Sequence, residues 1–73
     1  TKPIENELER FLLYKEVGKL KNRDREIIEL RYGLNGKKEM TQKEVAILLG
    51  ISQSYISRIE KKVIKKLSTI IKL

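Results

Sequence analysis

The last 21 residues carry an apolar pattern with the period of an α-helix. Neither glycine nor proline occurs between Gln53 and Leu73. Within this stretch the apolar residues recur at steps of three and four: Ile56, Ile59, Val63, Leu67 and Ile70. This spacing places them on one face of a helix. The pattern therefore predicts a long amphipathic helix, which buries one face and exposes the other, and it indicates a helical fold.

A short helix is expected just before the long one. Thr41 and Glu44 have the spacing of a capping box, in which each side chain accepts a hydrogen bond from the other residue's backbone N–H. Gly50 is expected to end the short helix, because glycine readily takes the positive φ found at helix C-termini. Ser52 is then expected to cap the long helix. Of the aliphatic side chains on the short helix, Ile47 and Leu48 are expected to be exposed.

These two helices have the spacing of a helix-turn-helix. In a 20-residue window that begins at Gln42, Ala46 is fifth, Gly50 ninth, Ile56 fifteenth and Ile59 eighteenth. A small side chain at Ala46 lets the helices cross closely, Gly50 forms the corner, and the two isoleucines anchor the second helix. The alternative is an ordinary helical hairpin in which Gly50 only stops the first helix.

The first 36 residues predict two further helices. The first helix is expected from Ile4 to about Leu20, and Pro3 suits its first turn. Its apolar residues, however, fall into two sets on nearly opposite faces. One set is Ile4, Leu8, Phe11 and Leu12, and the other is Leu13, Val17 and Leu20. Either the helix breaks near Leu12, or one set contacts something outside this chain. A second helix is expected from an Asn22 N-cap to Gly33.

Charge is distributed unevenly along the chain. Residues 1–36 hold eight basic and seven acidic residues, whereas residues 37–73 hold nine basic and three acidic ones. The second half therefore carries most of the net charge of +7, which indicates a polyanionic partner such as nucleic acid. The alternative is a lysine-rich surface that only contacts solvent.

Composition excludes several classes of function. The chain has no cysteine and no histidine, which removes disulfides, the usual zinc sites and any Ser-His or Cys-His nucleophile. We therefore expect that the chain is not an enzyme and that it binds no metal and no cofactor. No apolar run approaches the roughly 18 residues that a membrane helix needs, so we expect no membrane partner.

A recognition helix presents residues of its N-terminal part to base edges in the major groove. Gln53, Ser54 and Arg58 are the candidates for reading bases, since an amide suits adenine and a guanidinium suits guanine. Gln53 could instead be a plain polar residue, and Arg58 could form an ion pair or contact a phosphate. Tyr55 could stack on a sugar or pack over the turn, and we expect packing.

A further set of residues suits contacts with DNA phosphates. The N-terminus of the short helix offers free N–H groups and positive dipole to a phosphate, and the long helix exposes lysines. The candidates from these two places are Thr41, Gln42, Lys43, Lys61, Lys62, Lys65 and Lys66. The alternatives are that Thr41 is only a cap and that the lysines only contact solvent.

Two strings of the chain resemble region 4 of bacterial sigma-70-type sigma factors. They are Asn22–Leu34 (NRDREIIELRYGL) and the helix-turn-helix segments Thr41–Ala46 (TQKEVA) and Leu49–Lys61 (LGISQSYISRIEK), followed by Lys65-Lys66-Leu67. The resemblance covers about residues 13–67. The string SQSYISR is most similar to the sporulation-type sigma factors.

The resemblance implies an all-α, four-helix domain that ends in a helix-turn-helix, of the winged-helix-like class without a wing. It implies a domain at residues 13–73, with the motif at about 41–61, after a leading helical or linker segment at residues 1–12. In this family the helix-turn-helix binds the promoter minus-35 element, and the N-terminal half binds the β flap of RNA polymerase. An anti-sigma factor is a further expected partner, and the bacterial cytoplasm, at the nucleoid, is the expected location.

By the same resemblance, Gln53, Ser54 and Arg58 match base-facing positions. Positions near phosphates are matched by Thr41, Gln42, Ser57, Lys61 and Lys62. Housekeeping members often carry Arg-Glu in place of Gln53-Ser54 and Gln in place of Arg58, so the preferred minus-35 sequence should differ. The alternatives to promoter recognition are a protein-interaction module, which binds the polymerase flap or an anti-sigma factor, and a free-standing helix-turn-helix regulator.

Overall fold

The computed structural model describes residues 6–71. Four helices follow one another: α1 (Glu7–Val17), α2 (Asn22–Tyr32), α3 (Gln42–Leu49) and α4 (Gln53–Ile71). Residues 6–71 contain no strand. The predicted all-α, four-helix fold is therefore confirmed.

The core lies where α4 packs against the other three helices. Its buried apolar side chains are Leu13, Val17, Ile27, Ile28, Leu34, Val45, Ile56, Ile59, Val63 and Leu67. The predicted apolar face of α4 is thus buried from Ile56 to Leu67. The prediction that Ile70 belongs to this buried face is wrong, because Ile70, near the end of α4, is 49% exposed.

The helix α1 resolves the alternative left open by its two apolar sets. It is continuous from Glu7 to Val17, so it does not break near Leu12. Leu13 and Val17 are buried, and Leu12 packs partly against the core. Leu8 and Phe11 are exposed, at 65% and 54%. Ile4 and Pro3 lie outside the described residues.

The ends of α1 differ from the prediction. The helix is capped at its start by Asn6, which forms a capping box with Glu9 that the sequence analysis missed. At the other end it stops at Val17 rather than near Leu20. The backbone N–H groups of Lys19 and Leu20 then bond to carbonyls three residues earlier, and these bonds form a tight turn into α2.

The helix α2 begins one residue earlier than predicted. Lys21 occupies the N-cap position without a side-chain hydrogen bond, and Asn22 is the first helical residue. Asn22 as N-cap is therefore wrong. Gly33 does end α2, with a φ of 64°. The guanidinium of Arg10 donates to the Tyr32 carbonyl over 2.9 Å and so joins α1 to the end of α2.

Arg31 connects three parts of the fold. Its Nε and Nη2 donate to the two carboxylate oxygens of Glu60 on α4, the second over 3.3 Å. Its Nη1 donates to the carbonyl of Met40 over 2.8 Å, immediately before the start of α3. One side chain thereby fixes α4 and the beginning of α3 relative to α2.

Candidate nucleic-acid interface

The start of α3 has the predicted capping box. The Thr41 hydroxyl accepts from the N–H of Glu44 over 3.1 Å, and the Glu44 carboxylate accepts from the N–H of Thr41 over 2.8 Å. The backbone hydrogen bond with Thr41, followed by the bond with its side chain, lowers the pKa of Glu44. The local sequence thus fixes where α3 begins.

Gly50 forms the corner between α3 and α4. Its φ is 66°, in the left-handed region. Glycine adopts this conformation without strain, because it has no Cβ atom. The N–H of Ile51 returns to the Ala46 carbonyl over 3.1 Å and closes the turn. The Ser52 hydroxyl then accepts from the N–H of Tyr55 over 3.1 Å, which confirms the predicted cap of α4.

Buried side chains hold the two helices of the motif together. Val45 on α3 and Ile56 on α4 are completely buried, and Ile59 is nearly so. Ala46 and Leu49 pack partly against the same core. As predicted, Ile47 and Leu48 are exposed. Ile56 and Ile59 therefore anchor α4 on the core, and the opposite face of α4 is left in solvent.

All three candidate base-reading side chains lie on the exposed side of the N-terminal half of α4. Gln53, Ser54 and Arg58 are exposed. The Gln53 amide donates to the Gln42 amide oxygen over 3.3 Å. This contact joins the beginning of α4 to the beginning of α3, so a candidate base contact and a candidate phosphate contact are adjacent.

The candidate phosphate contacts are all wholly or partly exposed. One of them, Lys66, has its ammonium 3.9 Å from Glu16 on α1. Thr41 and Lys43 are exposed at the start of α3, and Gln42 is half-buried. On α4, Ser57 is half-buried, and the exposed candidates are Lys61, Lys62, Lys65 and Lys66. The structure shows where these side chains are, and their contacts with DNA stay predictions.

The outer face of α4 is strongly basic. Within residues 53–71 the only acidic residue is Glu60, and its side chain is turned inward against Arg31 and is almost completely buried. No carboxylate of α4 therefore offsets the positive charge of Arg58, Lys61, Lys62 and Lys65. Such a face attracts a polyanion over roughly a Debye length, about 8–10 Å in physiological salt.

Tyr55 packs against the rest of the domain, as we expected, but its contacts are with the core and with α2. Its ring contacts the core, and its hydroxyl donates to Asp24 Oδ1 on α2 over 2.8 Å. That hydrogen bond raises the pKa of Tyr55. Asp24 could not be expected from the sequence pattern, because it lies 31 residues earlier in the chain than Tyr55 and no local pattern indicates the pair.

Two negative observations apply to the described part of the chain. None of its helices has the length and hydropathy required to cross a membrane. Within the same residues, no three acidic side chains lie close enough together to hold a metal ion.

Residues 17–69 match the protein family described as "Sigma-70, region 4". The chain is 59% identical over 64 residues to the RNA polymerase sigma-E factor of Clostridium acetobutylicum, covering 88% of this chain and 27% of that protein. It is 49% identical over 61 residues to the RNA polymerase sigma-K factor of Bacillus subtilis, covering 84% and 20%. It is 41% identical over 59 residues to the sigma-F factor of the same species, covering 81% and 22%.

This chain thus spans only 20–27% of the length of these curated relatives. No solved structure matches it significantly. The family match begins at residue 17, within α1, and the division of the chain at residue 12 stays a prediction.

Proposed function

The chain belongs to the sigma-70 region 4 family, and on that premise we propose that it recognises promoter DNA during transcription initiation, as the minus-35-binding domain of a bacterial RNA polymerase sigma factor. The domain performs no reaction. Its contacts with DNA hold the polymerase at a defined distance from the start site. This agrees with the expectation that the chain is not an enzyme, since the matched family is DNA-binding.

The observation that carries this proposal is the two-faced character of α4. One face is anchored in the core by Ile56, Ile59, Val63 and Leu67. The other presents Gln53, Ser54 and Arg58 near its N-terminus, with lysines further along. A helix held in this way can enter the major groove with its N-terminal side chains at base edges.

We assign different roles to the two kinds of exposed side chain. Arg58 and Gln53 form hydrogen bonds with base edges, with Ser54 as a short and adaptable neighbour. The lysines of α4 and the start of α3, at Thr41, Gln42 and Lys43, contact phosphates, together with Ser57. Phosphate contacts supply affinity but carry no sequence information directly.

A second surface favours a protein partner. Leu8, Phe11 and Tyr14 are exposed on α1. Tyr14 also lines a groove between α1, α2 and the end of α4, whose lining is mostly polar but includes Leu12 and Ile70. We propose that this side contacts RNA polymerase, through the β flap. An anti-sigma factor stays a proposed partner, without an assigned surface.

The cellular setting is also a proposal. The similarity to sigma-E, sigma-K and sigma-F factors supports a sporulation-type sigma factor. It would act in the bacterial cytoplasm, on the nucleoid. Promoter recognition together with polymerase binding accounts for both surfaces, which a free-standing regulator or a module that binds only protein does not.

The experiment first selects bound duplexes from a random pool and then compares two variants on the selected duplex and a scrambled one. Arg58→Ala should reduce the preference for the selected duplex by about 5- to 150-fold, the value of one good bidentate base contact. Lys61→Ala should weaken binding to both duplexes alike. It should also reduce the slope of log affinity against log salt concentration by about 1. Equal losses on both duplexes for Arg58→Ala would contradict the base-reading role.

A further inference from the structure

Three side chains form a connected series from α2 to the exposed face of α4. Asp24 lies in the first turn of α2 and accepts from the Tyr55 hydroxyl over 2.8 Å. The Tyr55 ring packs against the core on one side. The guanidinium carbon of Arg58 lies over this ring, 6.0 Å from its centroid. Tyr55 and Arg58 are three residues apart on α4, so their side chains are neighbours on the helix surface.

From this arrangement we infer that Tyr55 is a positioning residue for Arg58: the ring, fixed by Asp24, holds the guanidinium at the orientation in which it reads a base. The inference rests on the proposed function, because it assumes that Arg58 contacts a base edge. It adds two residues, Tyr55 and Asp24, to the determinants of sequence preference.

The physical reason is the mobility of an exposed arginine. A long side chain loses rotamer freedom when it is fixed on a base, and a guanidinium already held over an aromatic face loses less. The ring can serve as that support only if it is itself fixed. Tyr55 is fixed twice, by packing against the core and by its hydrogen bond to Asp24.

The competing role for Tyr55 is a direct contact with DNA. The structure favours positioning, because the hydroxyl is already bonded to Asp24 and the ring is only partly exposed. A tyrosine that reached for a sugar or phosphate would have to give up the Asp24 bond. The two roles predict different results when Arg58 is absent.

The test is a double-mutant cycle between Tyr55→Leu and Arg58→Ala, made in this chain. The measured quantity is the ratio of affinities for the selected and the scrambled duplex. Tyr55→Leu should reduce this ratio by about 3-fold, the scale of a cation–π contact at an exposed site. In the Arg58→Ala background it should cause no further loss, because the side chain that it positions is gone.

Tyr55→Phe and Asp24→Ala form the matched controls. Both remove the same hydrogen bond and keep an aromatic ring under Arg58, so both should reduce the ratio by less than Tyr55→Leu does. Circular dichroism and thermal unfolding establish that each variant is folded. If Tyr55→Leu fails to fold, Tyr55→Phe keeps the test valid, because it should lower the ratio when Arg58 is present and leave it unchanged in the Arg58→Ala background.

Two outcomes would overturn the inference, and they are distinguishable. If Tyr55→Leu reduces the ratio equally with and without Arg58, Tyr55 acts on DNA or on the fold directly, and Arg58 keeps its role. If Arg58→Ala itself leaves the ratio unchanged, the proposed function of Arg58 has failed, and the positioning role fails with it.

Discussion

The helices α1 and α4 expose opposite kinds of surface. The inner face of α4 is buried in the core, and its outer face carries Arg58 and several lysines. In contrast, α1 buries Leu13 and Val17 but leaves Leu8 and Phe11 in solvent. The difference is the basis for our proposal of two partners of different chemistry, a polyanion at α4 and an apolar protein surface at α1. Exposed apolar side chains that lie together often mark such a protein-binding surface.

The largest expected effect on stability comes from truncating a buried side chain of α4, and an exposed side chain of α1 provides the comparison. Ile56→Ala should lower the free energy of unfolding by about 2–5 kcal/mol, because it leaves a cavity in the core. Leu8→Ala, on the exposed face of α1, should change it by about 0.5 kcal/mol or less. Urea unfolding followed by circular dichroism measures both values. A large loss for Leu8→Ala would show that the α1 face is structural.

The same Leu8→Ala variant also tests whether α1 and α4 bind different partners. It should weaken binding to the isolated polymerase flap and leave affinity for the selected DNA duplex unchanged. Unchanged flap binding for Leu8→Ala and for a corresponding Phe11→Ala would remove α1 from the proposed polymerase surface.

An intermediate effect is expected at the ion pair between α2 and α4. Arg31→Met removes the guanidinium and leaves the Glu60 carboxylate buried without its partner, which should cost about 3 kcal/mol of unfolding free energy. The comparison variant is Lys19→Met, because Lys19 is 67% exposed and its partner Glu16, although buried, has a second cation, Lys66, at 3.9 Å. Because Lys66 remains beside Glu16 and the lost ammonium is in solvent, this variant should cost less, about 1 kcal/mol or less. Similar losses for the two variants would contradict the distinction.

The smallest effect concerns acid stability at the start of α3. The pKa of Glu44 is lowered in the folded chain from an ordinary value of 4.5 by its bonds with Thr41. Its stabilising contribution is therefore fully present above about 4.5 and is lost as the pH falls through the lower, folded value. Glu44→Gln should reduce thermal stability at neutral pH, and the difference from the parent chain should shrink with acidification. A difference that does not depend on pH would contradict the assignment.

The helix-turn-helix could be predicted because its signals are local. The capping box at Thr41 and Glu44, the corner at Gly50 and the periodic face of α4 each lie within a few residues of the structure that they specify. The exposure of Gln53, Ser54 and Arg58 followed from the same helical period. Their roles on DNA depend on a partner and stay predictions.

The contacts that orient the site could not be predicted in this way. Arg31 and Glu60 are 29 residues apart, and Asp24 and Tyr55 are 31 apart. Each pair depends on how the helices cross, which no local pattern records. The apolar period likewise treats Ile70 and Ile56 alike, although Ile56 is completely buried and Ile70 is 49% exposed.

The loop between α2 and α3 has a consequence for the chemical ageing of the protein. Asn35 and Gly36 both have positive φ, and the Asn35 side-chain amide donates to a Glu29 carboxylate oxygen over 2.5 Å. Asparagine followed by glycine is the dipeptide most prone to deamidation, which converts the amide into a carboxylate. Here that product would replace a hydrogen-bond donor with a negative charge beside Glu29. Stored samples should therefore change first at this loop, which lies six residues before Thr41, at the start of the helix to which we assign phosphate contacts.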